Sequence, residues 1–534
     1  MLANDKYIIY EDDECSTPGL DVLVKARKPG YCAVERTFDN ILKLEALDLD
    51  TPDPMEDYDW PSQPGSEPFV TQKQVSSFMV RNPRSFVFSD LRTGKTRAAM
   101  WAADWLMGQS DKRLRCLVLS DINALEKTWS NEITTHLFGR RSFEMLHHTD
   151  AAKRLTALDR DADFYLLNPD ALRMGRPKRV VEKTPQGKIL RTYMKPPSGL
   201  YAALLAKKFD IIIFDEATTY RETGTETFKC ASKLAQTASF VYLLTGTPTP
   251  NGPGDAYGLK RLAHPAYKLS YKTWMDMTTT ADGPFRRKPR PEAAALVDEL
   301  LQPSIRIIQE QCFTPTPLAV MDLASPLSSQ QKEKMAELKT ELSIMVGAGE
   351  ISAVNQAALR SKLIQISCGA VYDAEHHTHI VDASGRLAML QELVTRVPGK
   401  IIVFAPLTSV LSLLASRLGS VCSLIDSATT KQSRLKLLHD WQTDSVKRVL
   451  LSHPGPVARG IDLSMASTII WYAPIDRTEY FMQANERING VNQTRPRYII
   501  RMSGCSIERD IYERLESNQA LQGVILKLKE MKLD

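Results

Sequence analysis

The sequence lacks the features that would place a chain in a membrane or direct it out of the cell. Its 534 residues contain no run of about 18 apolar residues, the length that a bilayer-spanning helix requires. The first residues, MLANDKYIIYEDDE, have neither the basic start nor the apolar middle of a secretory signal. We therefore expect a cytoplasmic protein with no membrane partner.

Cysteine is sparse, and the net charge is small. The eight cysteines stand singly, with no C-x-x-C pair and no His/Cys cluster of metal-ligand spacing. These spacings disfavour a structural zinc site and predict reduced thiols. The net charge of +5 is mild for this length and identifies no partner. A nucleic-acid partner would require basic residues gathered on one surface, because backbone binding depends on local positive charge.

The chain is long enough for about two to four domains, and its beginning differs from the rest. Residues 1–67 hold two short β-like runs, Tyr7–Tyr10 and Leu20–Val24, and then a stretch rich in proline and acidic residues. Such a stretch is typical of a boundary linker. We predict a small N-terminal β-containing domain that ends in this acidic, proline-rich linker.

Two longer segments, 68–263 and 396–534, alternate short apolar runs with helical stretches. This pattern is typical of βαβ units around a parallel sheet. Residues 264–395 are richer in helix formers and predict a mostly helical connector, and the charged stretch from Ile507 predicts a C-terminal helix. The predicted fold class is therefore α/β, with two parallel-sheet domains in tandem. The strand candidates are Phe86–Phe88, Cys116–Leu119, Phe164–Leu167, Ile211–Phe214, Val241–Leu244, Lys400–Phe404, Val449–Leu451 and Thr468–Tyr472.

A Gly-Lys-Thr sequence between an apolar strand and a helix is the main candidate for a phosphate site. Phosphates require backbone N–H groups at a helix start, a cation and a hydroxyl for Mg²⁺. Gly94 would let the backbone approach closely, Lys95 would reach the β and γ phosphates, and Thr96 would bind Mg²⁺. The strict pattern has glycine where Ser89 stands, so the tripeptide alone is equally compatible with a surface loop.

Two further motifs also follow apolar strands. Asp215 could hold the metal, and Glu216 could orient or deprotonate an attacking water. The hydroxyls of Thr245 and Thr247, in a Thr-Gly-Thr-Pro sequence, could sense a γ phosphate. Alone, the motifs fit a solvated strand end and a tight turn. Their order after Gly-Lys-Thr favours a nucleotide site.

This motif order resembles that of superfamily 2 helicases, and specifically the Swi/Snf-like helicases encoded by bacteriophages. The similarity runs from about Pro68 to Leu528 in motif order. It implies two RecA-like domains that close on one ATP with Mg²⁺. It also implies a DNA partner, duplex or branched rather than RNA, and a location in the host cytoplasm if the chain is encoded by a phage.

The resemblance assigns roles to five further residues of the first domain. It implies that Gln72 recognises adenine, and that Arg92 and Thr93 complete the phosphate loop. Ser120 and Asn168 stand at strand ends that contact the nucleic-acid backbone in this family.

In the second domain, the resemblance implies that Gly460 and Asp462 lie on a loop that couples the nucleic acid to the nucleotide. Gln483 begins, and Arg487 carries, the motif with the arginine finger, while Thr218 of the first domain joins the coupling residues.

Two positions depart from the family pattern. The family has glycine where this chain has Arg92, and a second arginine where it has Gly490. Loss of one of two cations that face the γ phosphate would weaken transition-state stabilisation. We hypothesise that Arg92 approaches the phosphates and partly replaces the missing charge.

Two basic runs are candidates for nucleic-acid contact. Arg176, Lys178 and Arg179 belong to a basic insertion near 171–200, and Arg286 and Arg287 lie in the connector. Each run is equally compatible with a solvated loop.

These observations predict an ATP-dependent DNA helicase or translocase, used in phage replication, recombination or branch migration. A DNA-binding or annealing protein with weak or absent ATPase activity on the same fold stays open because of positions 92 and 490. An RNA motor is a third reading. The intact Lys95, Thr96, Asp215, Glu216 and Arg487 favour the first.

Overall fold

The structure is a computed structural model that describes residues 2–517 apart from short gaps. The gaps are 4–5, 149, 177, 184–188, 196–197, 282–286, 348–352, 374, 376, 427, 458–462 and 491–492. The side chains of 2, 12–13, 178–183, 189–195, 339, 341–347, 353–357, 431 and 456–457 also lie outside the description.

The N-terminal unit is a small antiparallel sheet with the strand order β1-β2-β4-β3. Its apolar side chains pack beneath the helix Phe38–Glu45, whose first turn is capped by the Thr37 hydroxyl. The predicted strand at Leu20–Val24 is wrong, because Gly19 adopts a left-handed conformation and starts a short 3₁₀ turn there. The strands are β1 (Leu2–Ala3), β2 (Tyr7–Glu11), β3 (Val24–Lys28) and β4 (Tyr31–Glu35).

Cys15 and Cys32 form a disulfide in this unit, with their Cα atoms 5.9 Å apart. The prediction that all the cysteines are reduced is therefore wrong for this pair. Cys15 ends the short helix Asp12–Cys15, which packs beside β4 and brings together two residues that are distant in sequence. The other six cysteines are free, as predicted.

The acidic, proline-rich stretch is packed against the first large domain. The Tyr58 hydroxyl donates to the buried Asp104 carboxylate at 2.6 Å. The Trp60 ring meets the Trp101 ring edge-on at 5.5 Å, and the Trp101 indole N–H donates to the Pro61 carbonyl. The stretch predicted as a linker thus fixes the N-terminal unit to the next domain.

The first large sheet has seven parallel strands in the order β15-β5-β12-β11-β6-β8-β7. Two hairpins, β9-β10 within the basic insertion and β13-β14, lie outside it. The strands are β5 (Arg84–Ser89), β6 (Cys116–Leu119), β7 (Phe143–Met145), β8 (Phe164–Leu167), β9 (Lys178–Lys183), β10 (Ile189–Lys195), β11 (Ile211–Asp215), β12 (Phe240–Thr245), β13 (Thr279–Ala281), β14 (Arg287–Pro289) and β15 (Ser304–Ile307).

Helices cover both faces of this sheet, so its central strands are buried on both sides. All the strands that we predicted between residues 86 and 244 are confirmed. The helices are Val70–Arg81, Lys95–Gly108, Ser130–His136, Ala151–Asp159, Gly199–Lys207, Glu226–Thr237, Pro253–Ala263, Tyr271–Thr278 and Ala293–Leu300.

The second large sheet has six parallel strands in the order β16-β23-β22-β19-β21-β20, and confirms the second α/β domain. None of the described helices is both long and apolar enough to cross a membrane. The strands from here on are β16 (Leu318–Ala324), the hairpin β17 (Ala370–Tyr372) and β18 (Thr378–Ile380), β19 (Lys400–Phe404), β20 (Cys422–Ile425), β21 (Val449–Ser452), β22 (Ala466–Trp471) and β23 (Arg497–Ser503). The helices are Ser329–Gly347, Ala353–Cys368, Ser384–Arg396, Thr408–Leu418, Lys431–Thr443 and Thr478–Asn485, followed by 506–517.

The segment 264–395 is only partly the helical connector that we predicted. Its strand β15 completes the edge of the first sheet, and its strand β16 completes the edge of the second. The two domains are therefore joined by the short stretch 308–317. A four-residue strand that contains Arg306 gives little apolar signal, which is why the pattern of the sequence missed it.

A buried ion pair holds the second domain together. Arg386 donates to both carboxylate oxygens of Glu508, at 2.9 and 3.0 Å, and also to the Ser367 hydroxyl and the Met502 carbonyl. Both charged side chains are almost fully buried. The pair joins the helix Ser384–Arg396 to the C-terminal helix.

We expect Arg386→Met to lower the free energy of unfolding by about 3–5 kcal/mol, because it leaves the Glu508 carboxylate buried and unpaired. The matched control is Arg396→Met, on the same helix, whose side chain is 76% exposed. The exposed pair of Arg396 with Glu392 should contribute less than about 1 kcal/mol. Urea unfolding of both variants makes the comparison, and similar losses would contradict the account.

Candidate functional site

The candidate site lies at one edge of the first sheet, where its parallel strands end together. The register pairs Asp215 of β11 with Leu244 of β12, and Thr245 of β12 with Phe88 of β5. The carboxyl ends of neighbouring parallel strands form the usual ligand-binding edge of such a sheet.

The phosphate loop connects β5 to the helix that begins at Lys95. Gly94 has φ 80°, a conformation that favours glycine, and a Cβ atom there would lie 2.0 Å from Gln72 Nε2 and displace the Gln72 side chain. Thr93 donates to the Asp90 carbonyl and also contacts the Ser89 hydroxyl. The serine that breaks the strict glycine pattern therefore braces the loop.

Arg92 also has a left-handed backbone, with φ 68°. For a residue with a Cβ this conformation costs on the order of 1 kcal/mol. The loop thus keeps a glycine-like backbone at a position that carries an arginine.

Gln72, predicted to recognise adenine, lies against this loop. Its Nε2 atom donates to the Gly94 carbonyl at 3.3 Å, and its Oε1 atom accepts from the Phe69 N–H at 2.9 Å. The side chain is almost fully buried.

Asp215 is held in one orientation by three donors. Its Oδ2 atom accepts from the Ser120 hydroxyl and from the Trp129 indole N–H, both at 3.0 Å, and its Oδ1 atom accepts from the Glu216 N–H. Ser120, which the resemblance assigned to nucleic-acid contact, is fully buried here, and its side chain is directed at Asp215. Trp129 was missed, since no motif marks it in the sequence.

Glu216 lies between the two domains. Its Oε1 atom accepts from Lys95 Nζ at 3.1 Å, and its Oε2 atom accepts from Gln483 Nε2 of the second domain at 3.3 Å. Both Lys95 and Glu216 are largely buried. Two predicted catalytic residues of the first domain and one of the second therefore meet here.

The charges of this cluster are interdependent. Burial lowers the pKa of Lys95, but Glu216 and Asp215 more than offset this effect, so the pKa lies above its ordinary value. Burial raises the pKa of Asp215, and Lys95 counteracts it. A divalent cation would favour the charged carboxylates.

The residues fit a magnesium nucleotide. No group of three or more potential His, Cys, Asp or Glu metal ligands occurs among the described residues, and Mg²⁺ commonly binds one or two carboxylates together with substrate phosphates. Asp215 supplies such a carboxylate, and Thr96 follows Lys95 in the first turn of its helix.

A second group of residues crosses between the domains beside Thr218, one of the predicted coupling residues. Glu479, at the start of the helix Thr478–Asn485, accepts from the Thr218 hydroxyl at 3.3 Å and from Arg221 Nη1 at 3.0 Å. Sequence motifs marked neither Glu479 nor Arg221. Thr218 therefore contacts the second domain directly, through its hydrogen bond to Glu479.

Gln309 joins the phosphate loop to the second domain. Its Nε2 atom donates to the Leu91 carbonyl at 2.9 Å and to Glu486 Oε2 at 3.2 Å, and its Oε1 atom accepts from Asn489. Arg306 of β15 binds the Asp90 carboxylate of the same loop at 2.6 Å. Both residues fall in the segment that we predicted to be a connector.

Arg487 faces the phosphate loop from the second domain. Its carbonyl accepts from Arg92 Nη2 at 3.3 Å, and its charge is close enough to lower the pKa of Lys95. Thr247 lines a cavity of about 300 Å³ between the domains, and its buried hydroxyl has no hydrogen-bond partner in the described part of the chain. Thr245 accepts from the Thr247 N–H.

The other residues predicted to contact nucleic acid do not gather at one described surface. The Asn168 side chain caps the turn Pro169–Arg173. Arg176 pairs with Glu226 at 3.1 Å, and Arg287 pairs with Asp276 at 2.7 Å. Arg286, Gly460, Asp462 and the side chains of Lys178 and Arg179 lie outside the described residues.

Comparison with known proteins gives two family matches. Residues 72–346, which are 275 of the 534 residues, match the SNF2-related domain. Residues 385–489 match the helicase conserved C-terminal domain.

Individual relatives are distant. A protein called chromodomain-helicase-DNA-binding protein 1-like, from Danio rerio, is 26% identical over 60% of this chain, which spans only 32% of that protein. Putative protein p41 of Acyrthosiphon pisum secondary endosymbiont phage 1 is 22% identical over 86% of this chain and 98% of its own length. The Sulfolobus solfataricus SWI2/SNF2 ATPase core, solved in complex with dsDNA, is 16% identical over 88% of this chain and 95% of that one, with a TM-score of 0.38.

Beside the site, burial raises the pKa of Asp255 to about 6, and this effect outweighs an N–H donor from Asn251 and the nearby Arg221. The folded pKa exceeds the unfolded value of about 4, so the stabilising effect of proton binding is present below pH 4 and is lost as the pH rises through 6.

We therefore expect Asp255→Asn to raise the free energy of unfolding by about 2 kcal/mol at pH 7.5, with a smaller gain as the pH falls toward 4. The exposed Asp111→Asn is the control and should change little at either pH. Urea unfolding at the two pH values measures both. A gain that does not depend on pH would contradict the assignment.

Proposed function

Because this chain belongs to the SNF2-related family of superfamily 2 helicases, as its motifs predicted, we propose that it is an ATP-driven motor that translocates on DNA. The observation that carries this proposal is the Glu216 carboxylate, which Lys95 of one domain and Gln483 of the other bind together. Because residues of both domains bind this carboxylate, a change at the ATP site would change the contact between the domains.

ATP would bind with its phosphates at the start of the helix Lys95–Gly108. The N–H groups of this first helical turn and the Lys95 ammonium supply positive charge there. Thr96 and Asp215 would hold Mg²⁺, which neutralises phosphate charge when bound. Gln72 lies beside the loop and would meet the adenine.

Phosphate oxygens would compete with Glu216 for the Lys95 ammonium. As Lys95 turns to the phosphates, one oxygen of Glu216 becomes available to accept a proton from the attacking water. The water oxygen forms a bond to the γ phosphorus, the bond to the ADP oxygen breaks, and the proton goes to Glu216. Arg487 stabilises the transferring charge from the opposite domain.

Hydrolysis would then weaken the contacts across the cleft. Loss of the γ phosphate removes the anion that Lys95 and Arg487 share. Thr218 and Arg221, which both donate to Glu479 of the second domain, would transmit this change to that domain. Repeated closing and opening would move the two domains along the DNA backbone.

The DNA would occupy the cleft that opens between the domains away from the phosphate loop. A cavity of about 1020 Å³ there carries Arg287 and Lys288 from the first domain, and Arg360 and Arg514 from the second. Three carboxylates also line it, so these four cations leave a net charge of +1, and Arg514 is paired with Asp476. A relative of nearly equal length occurs in a phage. On that basis we propose that the motor acts on a phage genome, in replication, recombination or branch migration.

We expect DNA to raise ATP turnover by about tenfold or more, since the second domain must be placed correctly for full activity. Turnover is measured without nucleic acid and with single-stranded, duplex and forked DNA, and with duplex RNA. Stimulation by none of these would overturn the motor, and stimulation by RNA alone would indicate an RNA motor.

In the same assay, Glu216→Gln should bind ATP normally but turn it over at least about 100-fold more slowly, because the acceptor of the water proton is lost. The control is Glu222→Gln, the same change at an exposed position six residues further along the chain. Lys95→Ala should lose ATP binding itself. Normal turnover by Glu216→Gln would remove Glu216 from the proposed mechanism.

A further inference from the structure

The two positions that depart from the family pattern meet in space. A Cβ atom at Gly490 would lie 1.9 Å from Arg92 Nη1 and 3.1 Å from Arg92 Cζ. The guanidinium of the phosphate loop therefore fills the space in which a side chain at position 490 would begin. Gly490 is itself buried, and a Cβ atom there would also lie 3.3 Å from Ser464 Cβ.

The backbone of the phosphate loop explains why an arginine is unexpected at position 92. Its φ of 68° lies in the region that favours glycine. The backbone conformation at position 92 disfavours any residue with a Cβ atom. We therefore look to the contacts of the Arg92 side chain for the reason that arginine occurs there.

The side chain of Arg92 points across the domain boundary. Nη2 donates to the carbonyl of Arg487, at 3.3 Å, in the segment that carries the predicted arginine finger. Gln309 fixes the neighbouring Leu91 carbonyl to the same segment through Glu486. The Arg92 guanidinium is thus placed between the phosphate loop and the finger segment.

We propose that Arg92 is a second phosphate-contacting cation of the ATP site, delivered by the phosphate loop into the space left by Gly490. This inference rests on the proposed function. Arg92 and Arg487 then approach the transferring phosphoryl group from opposite domains, and Gly490 is required because any side chain there would displace the Arg92 guanidinium. In this proposal the arginine at 92 supplies the charge that the family pattern places at 490.

The test compares Arg92→Gly and Arg92→Met with the wild type. We expect both variants to keep their affinity for ADP within about threefold. They should lose at least about tenfold both in kcat and in affinity for ADP with aluminium fluoride, which mimics the transferring phosphoryl group. Glycine suits the backbone at this position, so Arg92→Gly should not lower Tm. The matched control is Lys208→Gly, which replaces an exposed cation whose φ is also positive, 53°, and should leave the activity unchanged.

Reciprocity is tested by Gly490→Arg alone and together with Arg92→Gly. The single change places two guanidinium groups in one space and should reduce both kcat and Tm. The double variant should recover at least about tenfold in kcat over Arg92→Gly, because the cation now comes from the other domain.

The possible outcomes separate the two proposals. An active wild type with full activity in Arg92→Met would show that charge at position 92 is dispensable, and would overturn this inference alone. Full binding of ADP with aluminium fluoride by Arg92→Gly would overturn it even if DNA failed to stimulate turnover. An inactive wild type that binds the mimic through Arg92 would overturn the motor and leave the phosphate contact standing.

Discussion

The carboxylate of Glu216 is the contact on which the functional architecture depends. It is largely buried, and it is bound by a cation from its own domain and by an amide from the other. A buried charge is tolerated only when it is paired and hydrogen-bonded, so Lys95 and Gln483 are both needed to keep it there. A polyphosphate that binds the Lys95 ammonium removes one of the two partners of Glu216. A change in the bound nucleotide thereby changes the contact of Glu216 with the second domain.

The neighbouring residues restrict the competition for Lys95 to Glu216 and the phosphates. Asp215 is fixed by Ser120 and Trp129, so the neighbouring carboxylate cannot simply rotate to replace Glu216. On the other side, Gln309 fastens the phosphate loop to the second domain. The interface is therefore a polar network with many partners, and such networks favour discrete arrangements over gradual sliding.

The sequence allowed us to predict the parts of the site that are local. Apolar strands covered on both faces are visible as continuous runs, and polar residues directly after them, such as Asp215 and Glu216, necessarily share the edge of a parallel sheet. The rest depends on contacts between residues far apart in the chain. Ser120 faces inward because its hydroxyl donates to Asp215. Gln309 follows β15, a strand too short to be recognised in the sequence. The Cys15–Cys32 bond likewise follows from packing rather than spacing.

The most direct test of the central claim is single-turnover hydrolysis of ATP by Gln483→Ala with duplex DNA present, alongside its affinity for ATP. If the second domain completes the site through Glu216, the affinity should stay within about threefold while the rate constant of hydrolysis falls at least about tenfold. A rate constant equal to that of the wild type would contradict the claim. A loss of affinity with an unchanged rate constant would contradict it equally, because Gln483 would then only hold the nucleotide.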